Sequence, residues 1–358
     1  MSLGSVLTAL IPALGGALTT DLIARYERSP QWRDGEFRNS TPTELNVHIR
    51  DVPGLLKAMF ARNTQREPSG ELPVLRIDPA SFFGPPTDPR LTWFGHSAVM
   101  LEISDMFVLL DPMLGRVPAP FPFLGRNRYS KVLPIDIDEL PDIDVVLISH
   151  DHYDHLDHGS VLKLLPKTKQ WIVCLGVARH LIRWGVSPSN IIELDWHEAV
   201  QINDVVFTCT PARHFSGRGL WDRHKSLWSS WVISSPQTRI FFNADSGYGP
   251  HFAEIGQTYG PFDLALIECG QYNAKWQAIH MMPEESVQAA IDLRAVVAMP
   301  IHWAAFTLAL HPWFEPVERF TAEAQRKGLQ VTTPRIGEPV VIRAAMPTTP
   351  WWVEVSVG

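Results

Sequence analysis

A chain of 358 residues that is 45% hydrophobic and 19% charged holds enough apolar material for a substantial core, in one large α/β domain or two ordinary ones, and is not a disordered sequence. Its formal net charge of −7 offers no basic footprint for neutralising phosphates, which argues against nucleic acid as a partner. The 3 cysteines, Cys174, Cys209 and Cys269, lie far apart in apolar runs and read as buried reduced thiols in a cytoplasmic setting.

Taken in chain order, residues 1–89 read as a partly irregular N-terminal arm. The stretch "MSLGSVLTALIPALGGALTTDLIARYERSP" carries no charge before Asp21, yet Pro12, Gly15 and Gly16 interrupt it and no Lys or Arg precedes it. It reads as an arm packed on the body, with membrane contact as the alternative and a cleaved signal as a third reading. Pro, Gly and Asn dominate the remainder of the arm, apart from one helix expected near "VPGLLKAMFAR".

Residues 90–358 have a different texture. "LTWFGHSAVMLEI" and "MFVLLDPML" look like paired strands separated by "SD". Further strands are expected at "DVVLIS", "WIVCLG", "VVFTCTPA", "LWSSWVIS", "RIFFNAD", "DLALIEC" and "VVAMPIH". Helices are expected at "HGSVLKLLP", "GVARHLIRWG", "PEESVQAAIDLRA" and "EPVERFTAEAQRKG". The alternation predicts sheets covered by helices in layers. A doubly wound parallel fold is the competitor, but no GxGxxG follows the first strand.

The densest chemistry is "SHDHYDHLDH", Ser149 to His158, with 4 histidines and 3 aspartates directly after an apolar strand. His150 and His152 stand two apart, so an extended segment points both to one side, where they can share a metal ion. Asp154 and His155 follow as the chain turns toward a helix and offer an oxygen and a nitrogen to a second ion. The missing ligands must come from elsewhere, and His214, Asp245 and His302 each follow an apolar strand. Burying so many polar groups without partners would cost several kcal/mol, which favours a metal cradle over a solvated loop.

The pattern His150-x-His152-x-Asp154-His155 with His214, Asp245 and His302 resembles the ligand set of the metallo-β-lactamase superfamily. Longer blocks, among them "LTWFGHSAVMLE", "FFNADSGYGPHFAEIG", "HMMPEESVQA" and "IHWAAFTLALHPWFEP", resemble the branch of N-acylphosphatidylethanolamine-hydrolysing phospholipases D, from about Ser29 to Leu329. The resemblance implies a four-layer αββα sandwich and two divalent ions, zinc first, with iron and manganese able to use the same donors. It assigns His150, His152 and His214 to one ion, Asp154, His155 and His302 to the other, and Asp245 as the bridge.

The same resemblance implies hydrolysis of a phospholipid or other phosphodiester by a water that the ions acidify. Peripheral membrane contact and a homodimer are compatible with it. Asp154 and His280 stand as the catalytic groups, His280 as phosphate contact or general acid. Tyr153 and Gln271 are the substrate-binding candidates. His96 is expected to support the loop after the first strand, Asp222 to orient neighbouring groups or pair at the surface, and His158 to face solvent. Asp151 and Asp157 are expected to be bystanders.

"CGQYNAKW" departs from the branch at Gln271, Asn273 and Lys275, while Arg126, Arg128 and Lys131 keep a basic character suited to phosphate. Trp-rich and Phe-rich loops are expected to line an apolar channel. A lactonase of the L-ascorbate-6-phosphate type and a non-catalytic metal-binding scaffold stay open as alternatives.

Overall fold

The computed structural model describes residues 10–45, 47, 49–61, 65–83, 88–219 and 221–356. The opening residues of the apolar N-terminal stretch therefore lie outside the described residues. From Leu10 the arm runs over the body through helix α1 (Thr20–Tyr26) and a small hairpin, β1 (Trp32–Arg33) with β2 (Glu36–Phe37). Tyr26, Trp32 and Phe37 pack as an aromatic trio under that hairpin. The helix expected near Val52 forms as α2 (Val52–Phe60).

The first sheet contains β3 (Arg90–Trp93), β4 (Val99–Ile103), β5 (Met106–Leu110), β6 (Ile143–Ile148), β7 (Thr168–Cys174) and β8 (Ile191–Leu194). The meander β3–β4–β5 is antiparallel, β5 through β8 are parallel, and β16 (Pro339–Val341) closes the other edge against β3. Ser104 and Asp105 turn the β4–β5 hairpin, both at positive φ, as the "SD" break anticipated.

The second sheet holds β9 (Ala199–Ile202), β10 (Val205–Thr210), β11 (Ser230–Ser234), β12 (Arg239–Phe242), β13 (Phe262–Glu268), β14 (Ala295–Ile301) and β15 (Gln330–Val331). β9 to β12 are antiparallel and β12 to β15 parallel. Continuous apolar runs such as Val145–Ile148 and Leu264–Ile267 are buried throughout, as strands covered on both faces must be.

Helices α3 (His158–Leu164) and α4 (Ala178–Arg183) accompany the first sheet; α5 (His251–Tyr259), α6 (Pro283–Asp292) and α7 (Glu315–Lys327) cover the second. The result is a four-layer αββα sandwich. Helix α5 and the edge strands β8 and β9 were absent from the expected elements. β8 and β9 are only 4 residues each, too short for a period to declare itself.

Several tryptophans expected around a channel are instead interior. Trp303 is 1% exposed and meets Trp93, Trp313, Trp351 and Trp352 at ring separations of 5.2–6.3 Å. Trp352 opens the last helix, α8 (Trp352–Ser356), which ties the far end of the described chain to the strand that delivers His302. Among the described residues no helix is long and apolar enough to cross a membrane. All 3 cysteines are buried and unpaired.

Candidate metal centre

Parallel strands end at one edge of a sheet, so side chains just past those ends meet. His150 follows β6, Asp245 follows β12 and His302 follows β14. β10 runs with β12 because both are antiparallel to β11, which brings His214 to the same rim. Close approach needs a missing side chain at Gly270, where a Cβ would stand 2.1 Å from the His302 carbonyl oxygen. His96, Asp111, Ala244, Gln271 and His302 all adopt positive φ around this rim, a concentration of strained backbone of the kind that functional sites hold.

The convergence produces two adjacent groups and a third, Asp245 with Glu268, His280 and His302, that shares one residue with each. In the first, His150, His152, His214 and Asp245 each offer an atom within 4.8 Å of the others. Nε2 of His150 and of His214 lie 2.9 and 3.2 Å from Nδ1 of His152. The second comprises His96, Asp154, His155 and His302. Asp154 Oδ2 stands 3.5 Å from His155 Nε2 and 3.9 Å from His302 Nε2. Asp245 touches both: its Oδ2 is 3.6 Å from His214 Nε2 and 3.1 Å from His155 Nε2, and its Oδ1 is 3.1 Å from His302 Nδ1.

These atoms are poorly served by one another. His155 Nε2, His302 Nε2, Asp245 Oδ1 and His96 Nδ1 are buried without a hydrogen-bond partner. Buried polar atoms left so in a native fold call for an ion or a water. Burial holds His150, His214 and His302 well below the ordinary imidazole range and His152 at about 4. Neutral imidazole is the form that ligates metal. Burial also pushes Asp245 up to about 6. His155 is the exception, since Asp245, Asp154 and Asp111 outweigh its desolvation and raise it. The donor set fits divalent transition ions.

The ring nitrogens facing away from the cluster are held from behind. His214 Nδ1 donates to the Ile279 carbonyl at 2.9 Å, while His302 Nδ1, which also stands 3.1 Å from Asp245 Oδ1 within the cluster, is reached by Ser97 Oγ at 3.0 Å. Asp111 Oδ2 accepts from His155 Nδ1 at 2.7 Å and from Ser149 Oγ at 2.5 Å, and that hydroxyl lies 2.9 Å from His150 Nδ1. One buried carboxylate thus orients an imidazole of each group. Asp111→Asn is expected to weaken metal retention by about 10- to 100-fold, the usual effect of losing such a support, as read by chelator competition.

A cavity of about 320 Å³ opens on this cluster. Its floor is His152, Asp154, Asp245 and His302; Leu45, Val47, Phe215, Trp276, Ile279 and Leu308 make an apolar wall, and His280 and Gln271 complete it. His280 Nδ1 is hydrogen-bonded to Glu268 Oε2 at 2.9 Å, which leaves Nε2 for the cavity. Glu268 is itself anchored by the Ser246 and Met281 amides, and burial raises its pKa well above the carboxylate range.

Other candidates fall differently. The Tyr153 hydroxyl donates to the Arg218 carbonyl at 2.6 Å, so it is engaged with the protein rather than presented to a substrate. Gln271 lines the cavity, but its amide braces a loop, donating to the Phe306 carbonyl and accepting from the Leu308 amide. Arg128 is turned inward onto the Phe94, Met113 and Gly115 carbonyls, while Arg126 and Lys131 pair with Glu67 and Glu71. The expected basic phosphate loop is therefore internally matched.

Lys275 pairs with Asp51 of the arm at 3.0 Å. Asp222 accepts the Arg218 and Gly219 amides, orienting backbone as one of its two readings held. His158 is half-buried against Trp184 rather than facing open solvent. Asp151 is no bystander: fully buried, it takes the Gly217 amide and the Ser226 hydroxyl. Asp157 caps α3 through the Ser160 amide.

His96 is fully buried, and its Nε2 donates to Asp154 Oδ2 at 2.9 Å. Asp111, Glu268 and Asp151 escaped sequence reasoning. The available signal for the first two was an acid at the end of an apolar strand, Asp111 just after β5 and Glu268 as the last residue of β13, close to the placement that singled out Asp245.

A family model described as a beta-lactamase superfamily domain matches residues 107–303, more than half of the chain and the span that contains every residue of the cluster except His96. The chain belongs to the β-lactamase superfamily. An N-acyl-phosphatidylethanolamine-hydrolyzing phospholipase D of Caenorhabditis elegans is 31% identical over 332 residues, covering 86% of this chain and 91% of that protein. An uncharacterized protein of Mycobacterium bovis is 39% identical over 346 residues, covering 95% of this chain and 92% of its own.

Among solved structures, a metallo hydrolase from the archaeon Ignicoccus hospitalis superposes with a TM-score of 0.54 at 21% identity, covering 72% of this chain and 100% of the other. That likeness speaks to the fold. Together the superfamily membership and the His/Asp clusters make this β-lactamase superfamily protein a metal-dependent hydrolase.

Proposed function

We propose that the protein is a binuclear phosphodiesterase of phospholipase D type acting on N-acylphosphatidylethanolamine-like phospholipids. The observation that carries the reading is the pairing of two ion-sized His/Asp groups, joined by Asp245, with an apolar wall around the same cavity. In this reading His150, His152 and His214 hold one ion, Asp154, His155 and His302 the other, and Asp245 bridges them. Two divalent ions here, zinc among the candidates, would polarise a phosphoryl oxygen and acidify a water.

The chain's own residues do the rest. Glu268 fixes the His280 ring so that Nε2 faces the cavity, where it contacts the phosphate or passes a proton to the departing alcohol oxygen. Leu45, Val47, Phe215 and Leu308 exclude water and receive hydrocarbon, at about 0.8 kcal/mol per buried methylene. Residues 1–89 act as an arm that supplies part of this wall, and residues 90–358 form the catalytic domain.

The test is hydrolysis of N-acylphosphatidylethanolamine in mixed micelles and of bis-p-nitrophenyl phosphate, against a lactone panel, by metal-loaded protein. Cleavage of lactones alone would replace this reading with the carbonyl-directed one. His280→Ala is expected to keep its metal content and lose about 10²- to 10⁴-fold in kcat on the phosphodiester, the range for a lost proton donor.

A further inference from the structure

The turn that bears four of the candidate ligands, His150 to His155, has no helix or strand of its own. Its inward-facing carbonyls are gripped by one buried cation. Arg218 is 3% exposed, and its Nη1 donates to the Asp151 carbonyl at 2.6 Å and to the Leu156 carbonyl at 2.8 Å, one at each end of the turn. The guanidinium lies 4.0 Å above the Tyr153 ring, in the middle of that turn, and 5.1 Å from the Trp184 ring. Its remaining donors, Nε and Nη2, both go to the Ala13 carbonyl at 3.0 and 2.9 Å.

Ala13 belongs to a short strap that is pinned on both sides. The Pro12 carbonyl accepts from Trp184 Nε1 at 2.7 Å, and the Gly16 amide donates to His180 Nδ1 at 3.1 Å. We propose that Arg218 is the positioning residue of the ligand-bearing turn and that the Pro12–Gly16 strap locks it in place. Metal affinity then depends on a segment more than a hundred residues from the turn in sequence, which acts through Arg218. The inference rests on the metal-centre reading above.

The physical reason is preorganisation. Ordering a loose turn at the moment of ion binding costs conformational entropy at every residue fixed, whereas a turn already clamped avoids that cost. A planar guanidinium has enough fixed donors to span both carbonyls and still face the strap, and an ammonium does not. Without the Ala13 carbonyl, two buried Arg218 donors would lose their partner, and the side chain would be drawn away from the turn.

Two full-length variants test this. Arg218→Lys removes the fork. Gly15→Val lifts the strap while leaving Arg218 and every ligand unsubstituted, because Gly15 has φ of 80° and a Cβ there would stand 1.9 Å from His180 Nδ1, the ring whose Nε2 lies 3.3 Å from Asp151 Oδ2. Zn²⁺ affinity is measured by competition with a chromophoric chelator, the fold of the ion-free form by near-UV circular dichroism, and strap release by limited proteolysis.

Both variants are expected to bind Zn²⁺ about 10- to 100-fold more weakly with the ion-free fold retained, and Gly15→Val is expected to gain a cleavage site near residues 12–16. If Arg218→Lys fails to fold, Gly15→Val carries the test alone. A released strap with Zn²⁺ affinity within about twofold of the wild type would overturn the proposal, as would a strap that stays protected in Gly15→Val. A wild-type protein that takes up no Zn²⁺ would instead sink the metal-centre reading, and this inference with it.

Discussion

Asp245→Ala is expected to leave less than one equivalent of metal on the protein and to lower phosphodiester hydrolysis by at least about 10³-fold. The reasoning starts from geometry: Asp245 is the residue whose two oxygens reach into both clusters, with Oδ2 toward His214 and His155 and Oδ1 toward His302. In the proposed two-ion arrangement, removing it would withdraw one donor from each ion together with the negative charge between them. Metal-ion polarisation of a transition state contributes several kcal/mol, and each 1.36 kcal/mol is tenfold in rate. Elemental analysis after dialysis, alongside turnover of bis-p-nitrophenyl phosphate, checks both parts. Full retention of two equivalents of metal in Asp245→Ala would contradict the bridging assignment.

The second large effect concerns stability. Trp303→Ala is expected to destabilise the fold by about 3–5 kcal/mol, the range for truncating a buried aromatic without collapse of the site. The side chain is 1% exposed, and rings from the first sheet's β3, from the loop before α7 and from the start of α8 close around it. The cavity would open at the joint where distant parts of the chain meet. Trp303 also follows His302 directly, so the variant should release metal more readily as well as unfold earlier. Urea unfolding of the ion-free protein isolates the stability term; a midpoint close to the wild type would show that the stack is dispensable.

Much of the layout is legible in the sequence. Apolar runs such as Val145–Ile148 and Val297–Ile301 are the buried stretches of their strands, covered on both faces, and a run of that kind needs no tertiary information to be read. The two-residue step from His150 to His152, and the recurrence of His or Asp after strands, pointed to the cluster now found in three dimensions. Roles that depend on what lies behind a residue were not legible. Asp111 and Asp245 both follow an apolar strand, yet one carboxylate faces the cluster and the other faces the backs of His155 and Ser149. Arg128 looked like a phosphate contact beside Arg126 and Lys131, but three backbone carbonyls turn it inward.

What the sequence determined by itself is the local part: which segments become strands, and which donors stand at their ends, because side-chain alternation and apolar runs act over a few residues. What only the tertiary structure decided is the convergence and its electrostatics. β10 had to run with β12 to bring His214 to Asp245, and Leu45 and Val47 had to cross from the arm to wall the cavity. Burial then held His150, His214 and His302 neutral and pushed Asp245 up to about 6. A charge's cost is set by everything packed around it, and neighbours brought together by strand pairing leave no trace in the local spacing of residues.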